Sequence, residues 1–298
     1  MSSDALAAAR AVGLARPRRS GWQATLRRYS RHRLFVAGFL LCAVVLLCAI
    51  FADLIATHDP VRIRMRDAFQ PLSAEHLLGT DSLGRDIFSR VVYGARVSLA
   101  IGLSTVVLSG VFGALFGVLA GYFMAWDDAI MRFMDALMSF PPVLLALAIA
   151  AALGPSATNV VLAIFVPYVP RTARIVRASA LTVRELDFVS AARAIGAGDA
   201  RIILRHVLPN CLAPLIVQLT FVFAIAVLSE AALSFLGLGP PPPTPSWGNI
   251  IADGRDYLRE AWWICLFPGI AISITVLGLN LLGDGLRDLI DPRLKVEQ

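Results

Sequence analysis

The sequence predicts an all-α fold: a polytopic membrane helical bundle with six transmembrane helices. Two observations lead to this prediction. Hydrophobic residues make up 57% of the 298 residues and the mean hydropathy is +0.71, whereas soluble domains are about 45–50% apolar. These residues are concentrated in blocks, several of which can cross a hydrocarbon core of about 30 Å. Because backbone groups in lipid must be paired within the chain, we expect the blocks to be helices.

A basic arm at residues 1–33 is predicted to lie on the cytoplasmic side. It carries eight arginines before the first block and a single acidic residue, Asp4. Arginine beside a span normally marks the cytoplasmic side and attracts anionic lipid. We therefore expect the net charge of +6 to reflect contact with membrane lipid, and we expect no binding of nucleic acid.

The order of the blocks gives the predicted domain organisation. The first transmembrane helix is expected at residues 34–56, which span about 34 Å at about 1.5 Å per residue. A structured outer loop at 57–96 follows, then a five-helix core at 97–284 and a cytoplasmic tail at 285–298. The core helices are predicted at residues 97–123, 136–153, 157–170, 211–238 and 261–282.

The fourth block is the shortest, because only residues 157–170 precede Arg171 and they include two prolines. The distribution of arginine around the fourth block indicates whether this block crosses the membrane. If it does, the seven arginines from Arg171 to Arg205 lie inside, together with most of the other basic residues, as the positive-inside rule requires. We therefore expect six crossings with both termini in the cytoplasm. The fourth helix is then expected to continue past Arg171.

Glycines recur along the second block at a spacing that predicts close helix packing. Gly113 and Gly117 form one GxxxG pattern, and Gly117 and Gly121 form the next. Small residues at this spacing let two helix backbones approach closely. Packing inside the chain is the first interpretation, and an interface with another subunit is the alternative.

The outer loop ends in a segment of mixed charge that contains Asp81, Arg85, Asp86 and Arg90. Carboxylate and guanidinium groups form strong hydrogen-bonded pairs with each other. We therefore expect ion pairs in this segment, and neither a metal site nor a catalytic site.

We also expect no catalytic residue and no bound metal among the other reactive side chains of the sequence. The sequence lacks a nucleophile elbow, an HExxH pair and a CxxC pair. The four cysteines lie in apolar blocks, where packing is their usual role. The four histidines are expected to lie far apart, and they are His32, His58, His76 and His206.

Few ionisable residues lie within the blocks, and Glu230 is the one well inside a span. A charged residue costs about 2.5–3.5 kcal/mol at a helix centre, so hydrogen bonds within the bundle or to arginine of the outer loop are the first expectation for Glu230. A pore or gate role is the second. An ion-coupled secondary transporter, which needs such groups near the midplane, is a distant alternative. The candidate pore or gate residues are Gln218, Ser229, Glu230 and Ser234.

A polar, arginine-bearing loop at residues 178–210 joins the fourth and fifth blocks. Its run DFVSAARAIGAGDARIILRHVLPN predicts two short helices with a bend between them. Asp187, the first residue of the run, is expected to cap the first helix and Gly196 to end it. Asp199 is expected to cap the second helix and Pro209 to stop it. On the cytoplasmic side, such a loop predicts contact with a soluble partner.

This run resembles the "EAA" cytoplasmic signature loop of ABC-importer permeases. The family pattern is Glu-Ala-Ala, three residues, Gly, nine residues, Ile, one residue and Leu-Pro. Two positions depart from it, since Ser190 replaces Glu and His206 replaces Ile. The matching residues are Ala191, Ala192, Gly196, Leu208 and Pro209.

Four other segments resemble the second permease subunit of peptide and nickel importers. They read GTDSLGRDIFSRVVYGARVSL, MRFMDALMSFPPVLLALAI, SEAALSFLGLGPPPPTPSWG and LLGDGLRDLIDP, and the resemblance covers about residues 33–292. It implies the architecture of a type I ABC importer permease, a multi-pass protein of the bacterial inner membrane.

The resemblance implies one half of the pore of an importer for dipeptides or oligopeptides. Importers of nickel chelates, glutathione or opines share the same motifs. The implied partners are a second homologous permease subunit forming a heterodimer, two ATPase subunits and an extracytoplasmic substrate-binding protein. The residues implied to couple to the ATPase are Phe188, Ser190, Ala191, Ala192, Ile195, Gly196, Leu208 and Pro209.

The chain is expected to bind no cofactor and to hydrolyse no ATP itself. A phosphate-binding P-loop needs Gly-Lys-Ser/Thr, and the single lysine of the sequence, Lys295, follows Leu and precedes Val. ATP and Mg²⁺ would therefore be bound by the partner ATPase subunits. A membrane enzyme is disfavoured because catalytic motifs are missing, and a passive scaffold is disfavoured by the cytoplasmic loop.

Overall fold

The computed structural model describes residues 32–290, and its regular structure there is helical apart from one isolated bridge between Thr80 and Asp86. The predicted all-α fold is confirmed for this part of the chain. Most of the predicted basic arm, residues 1–31, and the end of the predicted tail, residues 291–298, lie outside the described residues.

Eleven α-helices lie within the described part of the chain. In order they are α1 (Arg33–Ile50), α2 (Ala52–Ile55), α3 (Ile87–Tyr122), α4 (Met124–Met138), α5 (Pro142–Leu153), α6 (Ala157–Arg184), α7 (Asp187–Ala194), α8 (Asp199–Ile202), α9 (Leu208–Phe235), α10 (Trp247–Gly254) and α11 (Trp263–Ile290). Short 3₁₀ turns lie at Met65–Asp67 and Arg255–Tyr257, and a π-helical turn at Ile203–Val207 joins α8 to α9.

The second predicted span begins ten residues earlier than residue 97, because α3 starts at Ile87. Asp86 is its N-cap, and its carboxylate accepts a hydrogen bond of 2.8 Å from the backbone N–H of Ser89. A capped start satisfies a backbone donor that would otherwise lack a partner. The 36 residues of α3 extend about 54 Å, so the helix reaches well beyond the hydrocarbon core.

The third predicted span, residues 136–153, is wrong as a single helix. Residues 136–138 end α4, and α5 runs from Pro142 at an angle of 85° to α4. Two consecutive prolines, Pro141 and Pro142, lie at the break, and a proline both lacks an N–H and restricts the residue before it. Within residues 32–290, five helical segments are long and apolar enough to span a membrane, and the bent pair α4–α5 supplies a sixth if it counts as one span.

The fourth helix continues past Arg171, as predicted, because α6 runs from Ala157 to Arg184 without interruption. It packs against the glycine face of α3. A Cβ atom added to Gly113 would lie 2.5 Å from a methyl carbon of Thr172, and one added to Gly117 would lie 2.5 Å from the carbonyl oxygen of Ala173. The interpretation of the GxxxG patterns as packing within the chain is therefore confirmed.

We expect Gly117→Ala to destabilise the bundle by about 1–3 kcal/mol, because the new methyl group would press on the backbone of α6, which cannot rotate away. The free energy of unfolding in a mixed-micelle SDS titration measures this loss. Gly269→Ala is the matched control, since Gly269 also lies in a helix but has open space around its Cα. Equal stability of the two variants would contradict the close packing of α3 on α6.

A second helix pair closes the other side of the bundle, where α1 lies against α11. A Cβ atom on Gly38 would lie 2.4 Å from the backbone nitrogen of Leu282, and one on Gly285 would lie 2.6 Å from the backbone nitrogen of Phe35. Helix α9 contacts α3, α6 and α11 and lies between these two pairs. The loop at residues 178–210, which is predicted to be cytoplasmic, is thus attached to the central helix of the bundle.

Candidate functional site

The predicted cytoplasmic loop folds into a short amphipathic helix, α7, at Asp187–Ala194. One face of α7 is buried and carries Val189 and Ala192. Phe188, which is 42% exposed, and Ile195, which is 85% exposed, lie on the open side. Two large apolar side chains exposed within and directly after one small helix are typical of a surface that a partner covers.

Ala192 is one of the residues that the resemblance implies couple to an ATPase, but it is only 7% exposed and belongs to the hydrophobic core under α7. Its neighbours in that core include Val189 and Ile202. The small side chain of Ala192 therefore lets α7 pack closely against the hydrophobic core of the same chain. Ser190 and Ala191 are exposed, and Ala191, three residues after Phe188, lies on the same side of α7 as Phe188.

The predicted caps of the two short helices are wrong, whereas the predicted end of the first is confirmed. Leu186 and Gly198 occupy the N-cap positions, and neither Asp187 nor Asp199 caps through its side chain. Each aspartate lies one residue later, inside the first helical turn, where a negative charge still complements the helix dipole. Gly196 ends the first helix with a φ of +83°, which glycine adopts without steric cost.

Pro209 does not stop the second short helix. The chain passes from α8 through the π-helical turn into α9, and Leu208 and Pro209 form the first turn of α9. A π turn shifts the backbone hydrogen bonds by one residue, so it accommodates a proline, which cannot donate one. His206, the residue that departs from the family's Ile, lies in this turn, and its ring is 5.9 Å from the ring of Phe188.

Tyr122, which no motif in the sequence indicates, fixes the loop to the bundle. The hydroxyl of Tyr122, at the end of α3, donates a hydrogen bond of 2.6 Å to the carboxylate of Asp199. The guanidinium of Arg193 lies 5.2 Å above the centre of the Tyr122 ring, within cation–π range. No sequence spacing links residue 122 to residues 193 and 199, so only the tertiary structure identifies this contact.

The pore or gate candidates lie mostly inside the bundle. Glu230 is fully buried, and its two carboxylate oxygens accept hydrogen bonds from Ser98 (2.8 Å) and Ser234 (2.7 Å). The first expectation for Glu230, hydrogen bonding within the bundle, is confirmed. Ser229 is partly buried, and Gln218 lines a cavity of about 550 Å³. A pore role for these four residues stays a prediction.

A family described as binding-protein-dependent transport system inner membrane component matches residues 113–296. The chain belongs to this family. A second match, described as the N-terminal TM domain of oligopeptide transport permease C, covers residues 20–72. Members of the family are membrane subunits of binding-protein-dependent transport systems. The helical bundle described above is therefore part of a transport protein.

Two relatives of this permease match nearly its whole length. A putative peptide transport system permease protein of Brucella abortus biovar 1 is 58% identical over 273 residues, which is 92% of each chain. The di/tripeptide transport system permease protein DppC of Pseudomonas aeruginosa is 46% identical over 287 residues, which is 94% of this chain and 93% of the relative.

The fold of the permease is similar to that of a solved ABC importer. A chain from inward-facing conformations of the MetNI methionine ABC transporter superposes with a TM-score of 0.55 and 19% sequence identity. The match covers 69% of this chain and 98% of that chain. This likeness shows the fold of a type I importer permease.

The loop between α2 and α3 of the permease is held by a buried ion-pair network, as its mixed charge predicted. Asp81 accepts a hydrogen bond of 2.6 Å from Nε of Arg85 and another from Nη1 of Arg90. Both arginines also donate to Asp253 of α10, at 2.9 and 3.0 Å. The network therefore joins the loop and the start of α3 to α10.

The expectation that all four histidines lie far apart is wrong for one pair. The rings of His58 and His76 have their centroids 4.8 Å apart, and both lie beside Asp86. The chain folds back between these residues and α3, because Gly79 and Gly84 adopt positive φ angles of 75° and 69°. Such turns reverse the direction of a loop. The sequence alone does not reveal how close together they bring the residues on either side.

Proposed function

We propose that this permease is one half of the pore of an ATP-driven importer for dipeptides or oligopeptides. The names of its relatives support the cargo, since the DppC relative is a di/tripeptide permease and shares 46% identity over 94% of this chain. The exposed apolar surface of α7 supports ATP-driven coupling, because it gives a soluble subunit a contact site.

In this proposal α7 seats in a groove on an ATPase subunit, and the permease itself hydrolyses nothing and binds no cofactor. Phe188 and Ile195 supply the apolar anchors, Ala191 lies on the same side of the helix as both, and Ser190 is exposed on another side. Two ATPase subunits bind ATP and Mg²⁺ and close when ATP is bound. Their closure favours one of two packings of the bundle, which is how a partner shifts a conformational equilibrium.

Helices α6 and α9 flank the coupling segment and carry its displacement to the pore. Helix α6 ends at Arg184, two residues before α7, and α9 continues from α8 through the π turn. A second, homologous permease subunit completes the pore, and an extracytoplasmic protein delivers the peptide. The bundle lies in the bacterial inner membrane with both termini and α7 on the cytoplasmic side, which the clustering of arginine between residues 171 and 205 supports.

Uptake of a labelled dipeptide by proteoliposomes tests the proposal. We expect uptake by the complete complex to require both ATP and the binding protein. Vesicles that hold this permease alone, energised by a proton or sodium gradient, should take up nothing. Uptake driven by the ion gradient alone would support the secondary-transporter alternative and overturn the ABC assignment.

The cargo class is tested separately on the same vesicles. An excess of unlabelled dipeptide is expected to suppress uptake, whereas a nickel chelate or an opine is expected to have no effect. Glutathione is itself a tripeptide, so its competition would narrow the cargo within the peptide class. Suppression by the nickel chelate alone would overturn the peptide assignment and leave the coupling mechanism intact.

A further inference from the structure

Two histidines and a carboxylate meet at the end of the bundle where α3 begins. Asp86 uses one carboxylate oxygen, Oδ2, to cap α3 and leaves the other, Oδ1, beside both imidazoles. Nδ1 of His76 lies 2.9 Å from this oxygen, and Nδ1 of His58 lies 3.8 Å from it. Two nitrogens and one oxygen are thus placed around a common point.

These separations fit a tetrahedral metal ion. Zn²⁺ binds nitrogen and oxygen at about 2.0–2.2 Å, which places neighbouring ligand atoms about 3.3 Å apart in a tetrahedron. The two distances to Oδ1 of Asp86 lie on either side of that value. One ligand atom from each of His58, His76 and Asp86 lies within 4.8 Å of the others, so small side-chain rotations complete the site.

The side chain of His76 is held at this point. It is 2% exposed, and its Nδ1 atom lies 2.9 Å from Oδ1 of Asp86. These two atoms share a hydrogen bond, and a metal ion bound by both of them would replace its proton, because metal ligands must be deprotonated. A buried and oriented imidazole loses little further side-chain freedom when it binds an ion.

The pocket in front of the three residues has a volume of about 250 Å³ and mixed charge. Arg62 and Arg64 line it and oppose a cation, while Asp59 and Asp86 favour one. Arg64 also lies 3.8 Å from Asp67, which offsets part of its charge. A metal held by three protein ligands keeps an open fourth position, and the arginines favour water, hydroxide or a carboxylate there.

We propose that His58, His76 and Asp86 form a binding site for a divalent transition-metal ion of the Zn²⁺ type, with its fourth position open to the pocket. The site lies at the opposite end of α3 from Tyr122 and the coupling segment. A bound ion would link the segment that follows α2 to the N-terminus of α3.

Zinc titration of the purified, chelator-treated complex tests this site. His58→Gln removes one ligand at a partly exposed position, so the fold is expected to survive, and the zinc affinity is expected to fall about 100-fold or more. The unfolding midpoint of the wild-type protein should rise with added Zn²⁺, and that of the variant should not. His76→Gln is expected to give the same loss.

His32→Asn is the matched control, because His32 also lies near a carboxylate, 3.5 Å from Asp288, but has no second histidine beside it among the described residues. This variant should bind zinc as the wild-type protein does. Other metal sites in the complex contribute equally to all variants, so the difference between variants is the readout. Equal zinc affinity and an equal midpoint shift in the wild-type protein and both ligand variants would overturn the proposal.

Discussion

Replacing Ile195 with aspartate is expected to abolish ATP-driven uptake and to release the ATPase subunits from the complex. Ile195 is 85% exposed immediately after α7, and nothing within the described chain covers it. A charge at an apolar anchor would be desolvated without a partner when the ATPase docks. A loss of about 2 kcal/mol or more, typical of a hot-spot residue, weakens the association roughly 30-fold.

Co-purification of the ATPase subunits with a tagged permease measures this loss, and uptake by proteoliposomes measures its consequence. Leu258→Asp is the matched control, because Leu258 is also apolar and 54% exposed but follows the 3₁₀ turn beyond α10. That variant should retain the ATPase. Retention of the ATPase and normal uptake by Ile195→Asp would refute the assignment of α7 as the coupling helix.

Ala192→Asp is a poorer test of the same contact. The signature motif suggests it, but Ala192 packs against Val189 and Ile202 within the chain. An aspartate there would bury an unpaired charge and disturb the support of α7. Its effect on uptake would therefore combine misfolding with lost docking, whereas Ile195→Asp changes an exposed position alone.

Asp81→Asn is expected to destabilise the permease by about 3–5 kcal/mol, because two buried guanidinium groups lose the charge that compensates them. Asp81 is fully buried, Arg90 is 3% exposed, and Asp253 is left as their remaining acidic partner among the described residues. Asp81 also accepts hydrogen bonds of 2.9 Å from the backbone N–H groups of Leu83 and Arg85. The free energy of unfolding in an SDS titration measures this loss.

An exposed ion pair provides the comparison for this variant. Asp135 accepts a hydrogen bond of 2.6 Å from Arg174, but the two side chains are 59% and 51% exposed. Asp135→Asn is expected to change stability by about 0–1 kcal/mol, since water solvates either partner when the other is lost. A loss of similar size in both variants would show that burial does not govern the strength of these pairs.

Local patterns in the sequence predicted the parts of the fold that depend on local chemistry. Long apolar blocks indicated the spans, the excess of arginine around Arg171 indicated the fourth crossing, and Gly196 indicated the end of α7. The predicted helix ends were wrong where a proline pair or a π-helical turn changes the course of the chain. The proline pair that begins α5 divides an apolar run, and the π turn before Pro209 continues a helix that a proline would normally end.

Contacts between distant residues could not be read from the sequence. Tyr122 meets Asp199, and His58 meets His76, only because helices and turns bring separate segments together. The sequence gives the chemistry of each side chain, but it does not give the residue that the side chain contacts. Likewise, the EAA motif predicts which residues couple to an ATPase, but the direction in which Ala192 points is set by how α7 packs on the core.

The unbroken passage from α8 into α9 has a mechanical consequence. Residues 199–235 form one helical rod of 37 residues, about 55 Å long. Tilting a rod of that length by about 10° about one end displaces its far end by about 10 Å. If α7 docks on an ATPase as proposed, a stiff helix converts a small rotation at that end into a larger displacement at its other end, whereas a flexible joint at Pro209 would absorb the rotation.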